Sequence, residues 1–185
     1  QSRFSEDSPL NPDYVTGSAI EGEKITLQSA DEHGFIGTIL RGGTFYSADG
    51  WHTQMFRDTL RKRRMPIIGS GDARWSNLHA DDAASAYLAA IQAQVSGIYH
   101  VVDDEPSPVG EYLTYFAGRL GVKRPFKIPV WLARLVAGEG AVRFVTTSTI
   151  TDAERFKTAT GWQPQYPDYR AGLDQIVSEW EREGA

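Results

Sequence analysis

Short apolar runs alternate along this chain with longer stretches whose apolar residues return every three or four positions. The first pattern predicts buried strands and the second predicts amphipathic helices. The sharpest run is Phe35–Tyr46. Ile36, Ile39 and Leu40 predict a strand over 35–41, buried on both faces, that stops at Arg41 and passes into Gly42-Gly43, Thr44, Phe45 and Tyr46. Before it, Ala19, Ile20, Glu23, Leu27 and Ala30 stand at helical spacing between Thr16 and Glu32, with Gly34 as the stop. The opening, Gln1 to Asp13, is polar, carries Pro9 and Pro12, and reads as a loop.

Beyond the run, a helix over about 51–63 should turn Met55, Phe56 and Leu60 to the core, and Met65–Ile68 reads as a short extended piece closed by Gly69–Asp72. Trp75–Asp82 leads into a helix ending near Ala93, with Asp81 as N-cap and Ala84, Tyr87, Leu88 and Ile91 as its buried stripe. A second buried strand is predicted over 97–103. The helix after it has Ser107 as cap, Pro108 at its first position and Gly121 past its end, with an apolar stripe of Val109, Tyr112, Leu113, Phe116 and Leu120. Phe126–Pro129 precedes an apolar helix from Trp131 to about Ala137, and Thr151-Asp-Ala-Glu154 forms a capping box. After the aromatic linker Gly161–Pro167, a last helix from Asp168 packs Leu173, Ile176, Val177 and Trp180. Strands alternating with helices argue for a parallel α/β sheet.

In such a sheet, ligands sit beyond the carboxyl ends of the strands, which makes the exit at Arg41 the first candidate site. The alternative is a plain strand-to-loop exit whose glycines serve a tight turn. A length of 185 residues suits one domain with one sizeable core. The net charge of −5 gives no general attraction to nucleic acid or anionic membrane, so the basic cluster Arg57, Arg61, Lys62, Arg63 and Arg64 reads as a solvated helix end. The absence of cysteine excludes disulfides, thiolate metal sites and a cysteine nucleophile. No apolar run nears bilayer length and no leader pattern opens the chain, which together with the missing cysteines fits a cytoplasmic protein. Four scattered histidines show no metal-ligand spacing, so no metal site is expected. His79 and Asp82 could form a catalytic pair, but their place at a helix start favours capping and anchoring, and His100 in its strand reads as a core histidine.

Five blocks, in order, resemble one family. Ser5–Pro12 is similar to the loop before that family's catalytic helix, and Ile39–Tyr46 to its Leu-Arg-Pro-Gly-Asn-Val-Tyr block, with Gly42 for proline and Thr44 for asparagine. Leu78–Ala84 resembles its Ile-His-Val-x-Asp-Val-Ala signature, Gly97–Asp103 its late strand, and Gly161–Tyr166 its Gly-Trp-x-Pro motif. The family is that of the extended short-chain dehydrogenases, or NAD-dependent epimerase/dehydratases. The resemblance implies the C-terminal part of a doubly wound, NAD(P)-binding Rossmann-like fold with a small substrate-binding subdomain. Residues 1–46 and 76–104 would supply late Rossmann elements, and 47–75 and 105–185 mainly the subdomain.

The resemblance also implies NAD or NADP as cofactor, with Arg41, Gly42, Gly43, Thr44, Phe45 and Tyr46 lining its nicotinamide end. Substrate would meet Thr44, Arg74 and Trp75; family members often place an arginine for a nucleotide-sugar phosphate at the position held here by Trp75. Two departures stand out. No strand, Gly-x-x-Gly-x-x-Gly turn and helix is present to cradle a pyrophosphate, so the chain looks like a C-terminal portion lacking roughly a hundred residues of a typical domain, and alone should bind dinucleotide weakly or not at all. Its expected partners are the missing half of the fold and a small-molecule substrate, with no nucleic acid and no membrane; a homodimer is also open.

The second departure is catalytic. In the family a Tyr-x-x-x-Lys pair lets a phenol exchange protons with substrate, because the lysine lowers its pKa. Here one register puts Val15 and Ala19 at the pair's positions and the other puts Tyr14 and Ser18 there; neither supplies a lysine. Tyr14 is the candidate catalytic residue, as a hydrogen-bonding or acid group, against a plain packing role. The expected function is an atypical NAD(P)-dependent oxidoreductase or epimerase acting on a sugar-nucleotide or another carbonyl or hydroxyl substrate. The alternative is a non-catalytic nucleotide sensor or scaffold.

Overall fold

A computed structural model describes residues 3–10 and 17–184. Helix α1 (Gly17–His33) leads through Gly34 into β1 (Thr38–Gly42) and, after one residue, β2 (Thr44–Tyr46). Helix α2 (Trp51–Arg61) and the short strands β3 (Ile67–Ile68), β4 (Arg74–Trp75) and β5 (Asn77–His79) follow. Then come α3 (Ala80–Ala93), β6 (Gly97–Val101), β7 (Ser107–Pro108) and α4 (Val109–Arg119). The chain closes with β8 (Lys127–Ile128), α5 (Val130–Thr146), α6 (Glu154–Thr160) and α7 (Tyr169–Glu183). Among the described residues no helix is long and apolar enough to cross a membrane.

Strand pairing is mostly parallel, as the alternation predicts. β1 lies along β6 from Thr38↔Gly97 to Gly42↔Val101, β2 along β5 with Tyr46 opposite His79, and β3 along β8. β4 pairs antiparallel with β7, and Trp75 also bridges Thr149. One buried cluster joins Tyr46, Trp75, Tyr112, Phe116, Leu173 and Trp180 beneath α4 and α7. A second joins Leu78, Ala86, Val101, Phe156 and Trp162.

Several local readings change. The first strand starts at Thr38, and Phe35 and Ile36 are half exposed ahead of it. Gly37 has no room for a side chain, since a Cβ there would lie 2.7 Å from that of Ala30; the chain enters the sheet pressed against α1. Helix α3 buries Ala83, Ala86 and Ala90, while Ala84, Tyr87, Leu88 and Ile91 are exposed. This helix is apolar on both faces, and its alanine face allows the closer approach to β5 and α6. Met55 is also exposed, leaving Leu60 as the buried anchor of α2. The apolar helix breaks where predicted, since Gly138 (φ 81°) is non-helical; past this kink a second helical stretch of α5 runs on to Thr146.

The caps differ too. His79, not Asp81, caps α3: its Nδ1 accepts from the Asp81 backbone N–H at 3.2 Å. Pro108 precedes α4 and Ser107 lies in β7, so the Val109 N–H donates to the Ala73 carbonyl. Helix α6 begins one step after Ala153, and Asp152 accepts from the Glu154 N–H. Asp168 does cap α7, accepting from the N–H groups of Arg170 and Ala171. Arg57 leaves the expected solvated cluster: its guanidinium sits 4.6 Å from the ring centre of Trp180.

Candidate functional site

The carboxyl ends of β1 and β6 are level, and the chain leaving β1 crosses to β2 in a single residue. Gly43 makes that crossing possible. Its N–H donates to the Val101 carbonyl and the following Thr44 N–H to the Ser76 carbonyl. A Cβ on Gly43 would lie 2.4 Å from the Ser76 carbonyl oxygen, which is backbone and cannot yield. Gly43→Ala is therefore expected to cost about 1–3 kcal/mol in urea denaturation. Gly42→Ala meets only the half-exposed Phe45 ring and should cost less. Neither glycine has a positive φ, so close approach explains them better than a tight turn.

This crossing opens on a cavity of about 900 Å³, reached by all six residues from Arg41 to Tyr46. Their side chains serve different ends. Arg41 grips Glu23 of α1 through Nε at 2.9 Å and Nη2 at 2.6 Å, and Nη1 donates to the Glu6 carbonyl. The paired carboxylate raises the guanidinium's already high pKa, and the cation is neutralised at the cavity edge. Thr44 borders the cavity with its hydroxyl not engaged by a described residue. The Phe45 ring covers Gly42 and is 44% exposed. Tyr46 turns inward: its phenol lies against Gly172, has no hydrogen-bond partner, and burial pushes its pKa far up. It is a packing residue at the cavity floor.

Trp75, 3% exposed, forms part of the back wall and holds Phe144 of α5 at 5.6 Å between ring centres. Arg74 does not line the cavity; its Nη1 donates to the Pro106 carbonyl at 2.8 Å. Tyr14, with Val15, lies outside the described residues. Sequence reasoning missed Trp51, Phe56, Tyr112, Phe144 and His100 as wall residues. Trp51, at the start of α2 shortly after the Arg41–Tyr46 run, carried a usable signal as an apolar residue at a helix start. Phe144 carried none, because only the turn at Gly138 brings it over β4.

His79 and Asp82 have structural roles. His79 lies 5.3 Å from Tyr46 and 4.2 Å from Tyr166 between ring centres, and burial lowers its pKa. Asp82, 1% exposed, accepts from the Gln165 and Tyr166 N–H groups at 2.6 and 3.0 Å, clamping the linker to α3. His100 is buried, is pushed toward its neutral form and pairs through Nδ1 with Thr151. Among the described residues no group of three His, Asp or Glu could hold a metal ion.

Residues 2–102 match the model of the NAD dependent epimerase/dehydratase family. The chain belongs to that family. It is 34% identical over 179 residues to the 3-diazoavenalumate denitrifying reductase of a Streptomyces species, covering 92% of this chain and 58% of that protein. It spans well under two thirds of that relative's length. Its fold matches dTDP-glucose 4,6-dehydratase from Bacillus anthracis in complex with NAD, at TM-score 0.77 and 19% identity, over 98% of this chain and 57% of that one. It also matches human epimerase family protein SDR39U1 with NADPH, at TM-score 0.68 and 22% identity, over 76% and 48%. The architecture is therefore Rossmann-like α/β of the epimerase/dehydratase kind, with β1 and β6 as adjacent parallel strands.

Gly43 keeps side chains off the strand crossing, and Thr44 offers a hydroxyl at the cavity edge. The pyrophosphate end of a dinucleotide finds no glycine-rich strand-to-helix turn in this sequence.

Proposed function

We propose that this chain forms the nicotinamide-side and substrate-side portion of an NAD(P)-dependent oxidoreductase. The observation that carries the reading is the opening of the β1 exit, at Gly42-Gly43-Thr44, directly onto the large cavity. A bound nicotinamide supplies or accepts a hydride. The chain's own residues do the rest. Arg41 and Glu23 fix the strand end to α1, Thr44 orients a polar group of the substrate, and the aromatic walls exclude water. The relative's description as a reductase supports reduction over epimerisation. The sequence around Tyr14 supplies no lysine partner, so proton delivery does not follow the Tyr-x-x-x-Lys scheme.

Titrating the full-length protein with NADPH and NADH, followed by single-turnover loss of reduced-nicotinamide absorbance, tests this reading. Binding of one of them and a drop in turnover with Thr44→Val are expected; binding of neither overturns it. The missing lysine also favours a second reading, a cofactor-binding sensor or scaffold without turnover. Binding without hydride transfer to any of a panel of carbonyl and sugar-nucleotide substrates would select it.

A further inference from the structure

The walls of the cavity favour one chemical class of substrate, an inference that rests on the oxidoreductase reading. Aromatic side chains line it from separate parts of the chain, among them Phe45, Trp51, Phe56, Tyr112 and Phe144, with Trp75 behind them. Two stand at the mouth with most of their surface free, Trp51 at 73% and Phe144 at 63% exposure. Rings from α2 and α5 thus border one space, and Trp75 steadies Phe144 from below. A volume of about 900 Å³ holds a small molecule with room for stacking.

The charge inventory of this chain weighs against the alternative. A sugar nucleotide carries a diphosphate, whose buried charges require paired cations or several directed donors. Among the described residues the cavity has one side chain that is always cationic, Arg41, and Glu23 already occupies it on two nitrogens. Arg74 is turned away to the Pro106 carbonyl. Of the two histidines on the wall, His52 Nε2 is engaged by the Phe45 carbonyl and His100 Nδ1 by Thr151, with burial favouring neutral His100. Nothing left on the wall balances two phosphates. We infer that the site takes an uncharged, planar aromatic small molecule held between the Trp51 and Phe144 sides, and that it rejects nucleoside diphosphate sugars.

The test is calorimetric titration of the full-length protein with trans-cinnamyl alcohol, an uncharged planar probe, and with UDP-glucose. Cinnamyl alcohol should saturate with a Kd on the order of 0.1–1 mM, in keeping with its size. UDP-glucose should give no saturation up to about 10 mM, on the same scale. Trp51→Ala and Phe144→Ala, both at exposed positions, should each weaken the aromatic probe about five- to tenfold with an unchanged circular dichroism spectrum. UDP-glucose binding as tightly as cinnamyl alcohol, or aromatic binding indifferent to both variants, overturns the inference. NADPH and NADH are titrated separately. If neither NADPH nor NADH binds while cinnamyl alcohol does, the oxidoreductase reading falls and the aromatic site stands; binding of either dinucleotide without cinnamyl alcohol sinks the aromatic site alone.

Discussion

Asp82→Ala should destabilise the protein by about 2–5 kcal/mol, among the largest losses for a single side chain here. The carboxylate is buried and both its oxygens are used, each by one backbone N–H of the Gln165-Tyr166 pair. Alanine leaves those two part-buried donors without their acceptor. It also removes a negative charge from the first turn of α3, where the helix dipole favours one. Asp82→Asn retains one acceptor and should recover part of the loss. Urea denaturation of both variants measures the effect, and a loss below about 1 kcal/mol for alanine would show that the clamp carries no weight. Because the linker precedes α7, the damage should spread to the cluster around Leu173 and Trp180.

Asp103 should give the opposite sign. It follows β6, is 2% exposed, and neither carboxylate oxygen makes a well-formed hydrogen bond. Burial pushes its pKa up to about 8; the nearby Asn77 backbone N–H pulls the other way, and Asp168, Asp104 and Glu105 push in the same direction as burial. An unfolded aspartate ionises near pH ~4. Between that value and the folded one, the folded protein holds a proton that the unfolded chain has lost. Stability is therefore full at low pH, falls as pH rises through this window, and loses the whole contribution above it. Asp103→Asn should raise stability by a few kcal/mol at pH ~8, change it little at pH ~4, and flatten the curve between them. Chemical denaturation across that range is the measurement; a slope unchanged by the substitution would refute the assignment.

Features whose cause is local were legible in the sequence. The strand leading through Arg41 to Gly42, the turn at Gly34 and the cap at Asp168 each follow from residues within a few positions. Features whose cause is distant were not. Helix α3 presents two apolar faces, and only the approach of β5 and α6 decides in favour of its alanines. Tyr46 sits in a run that points at a ligand, yet its phenol turns inward because Gly172, on the last helix, leaves a space for it. Arg74 reads as a substrate cation until the Pro106 carbonyl claims it. The cavity itself was half legible: its floor is the Arg41–Tyr46 run, while Tyr112 and Phe144 arrive from elements with no sequence link to it.

The turn at Gly138 divides labour within α5. Ahead of it the helix is held by buried Ala133; behind it Val142 is buried and Ala141, Phe144 and Val145 face the cavity, tied down where Thr149 joins β4. These wall residues lie outside the stretch matched by the family model, whereas the β1 exit lies inside it. One enclosure is thus assembled from two separately adjustable parts of the polypeptide. Side chains at 141, 144 and 145 can be exchanged to accept a differently shaped guest while the strand crossing at Gly43 keeps its register, which makes this helical turn the natural place to retune selectivity.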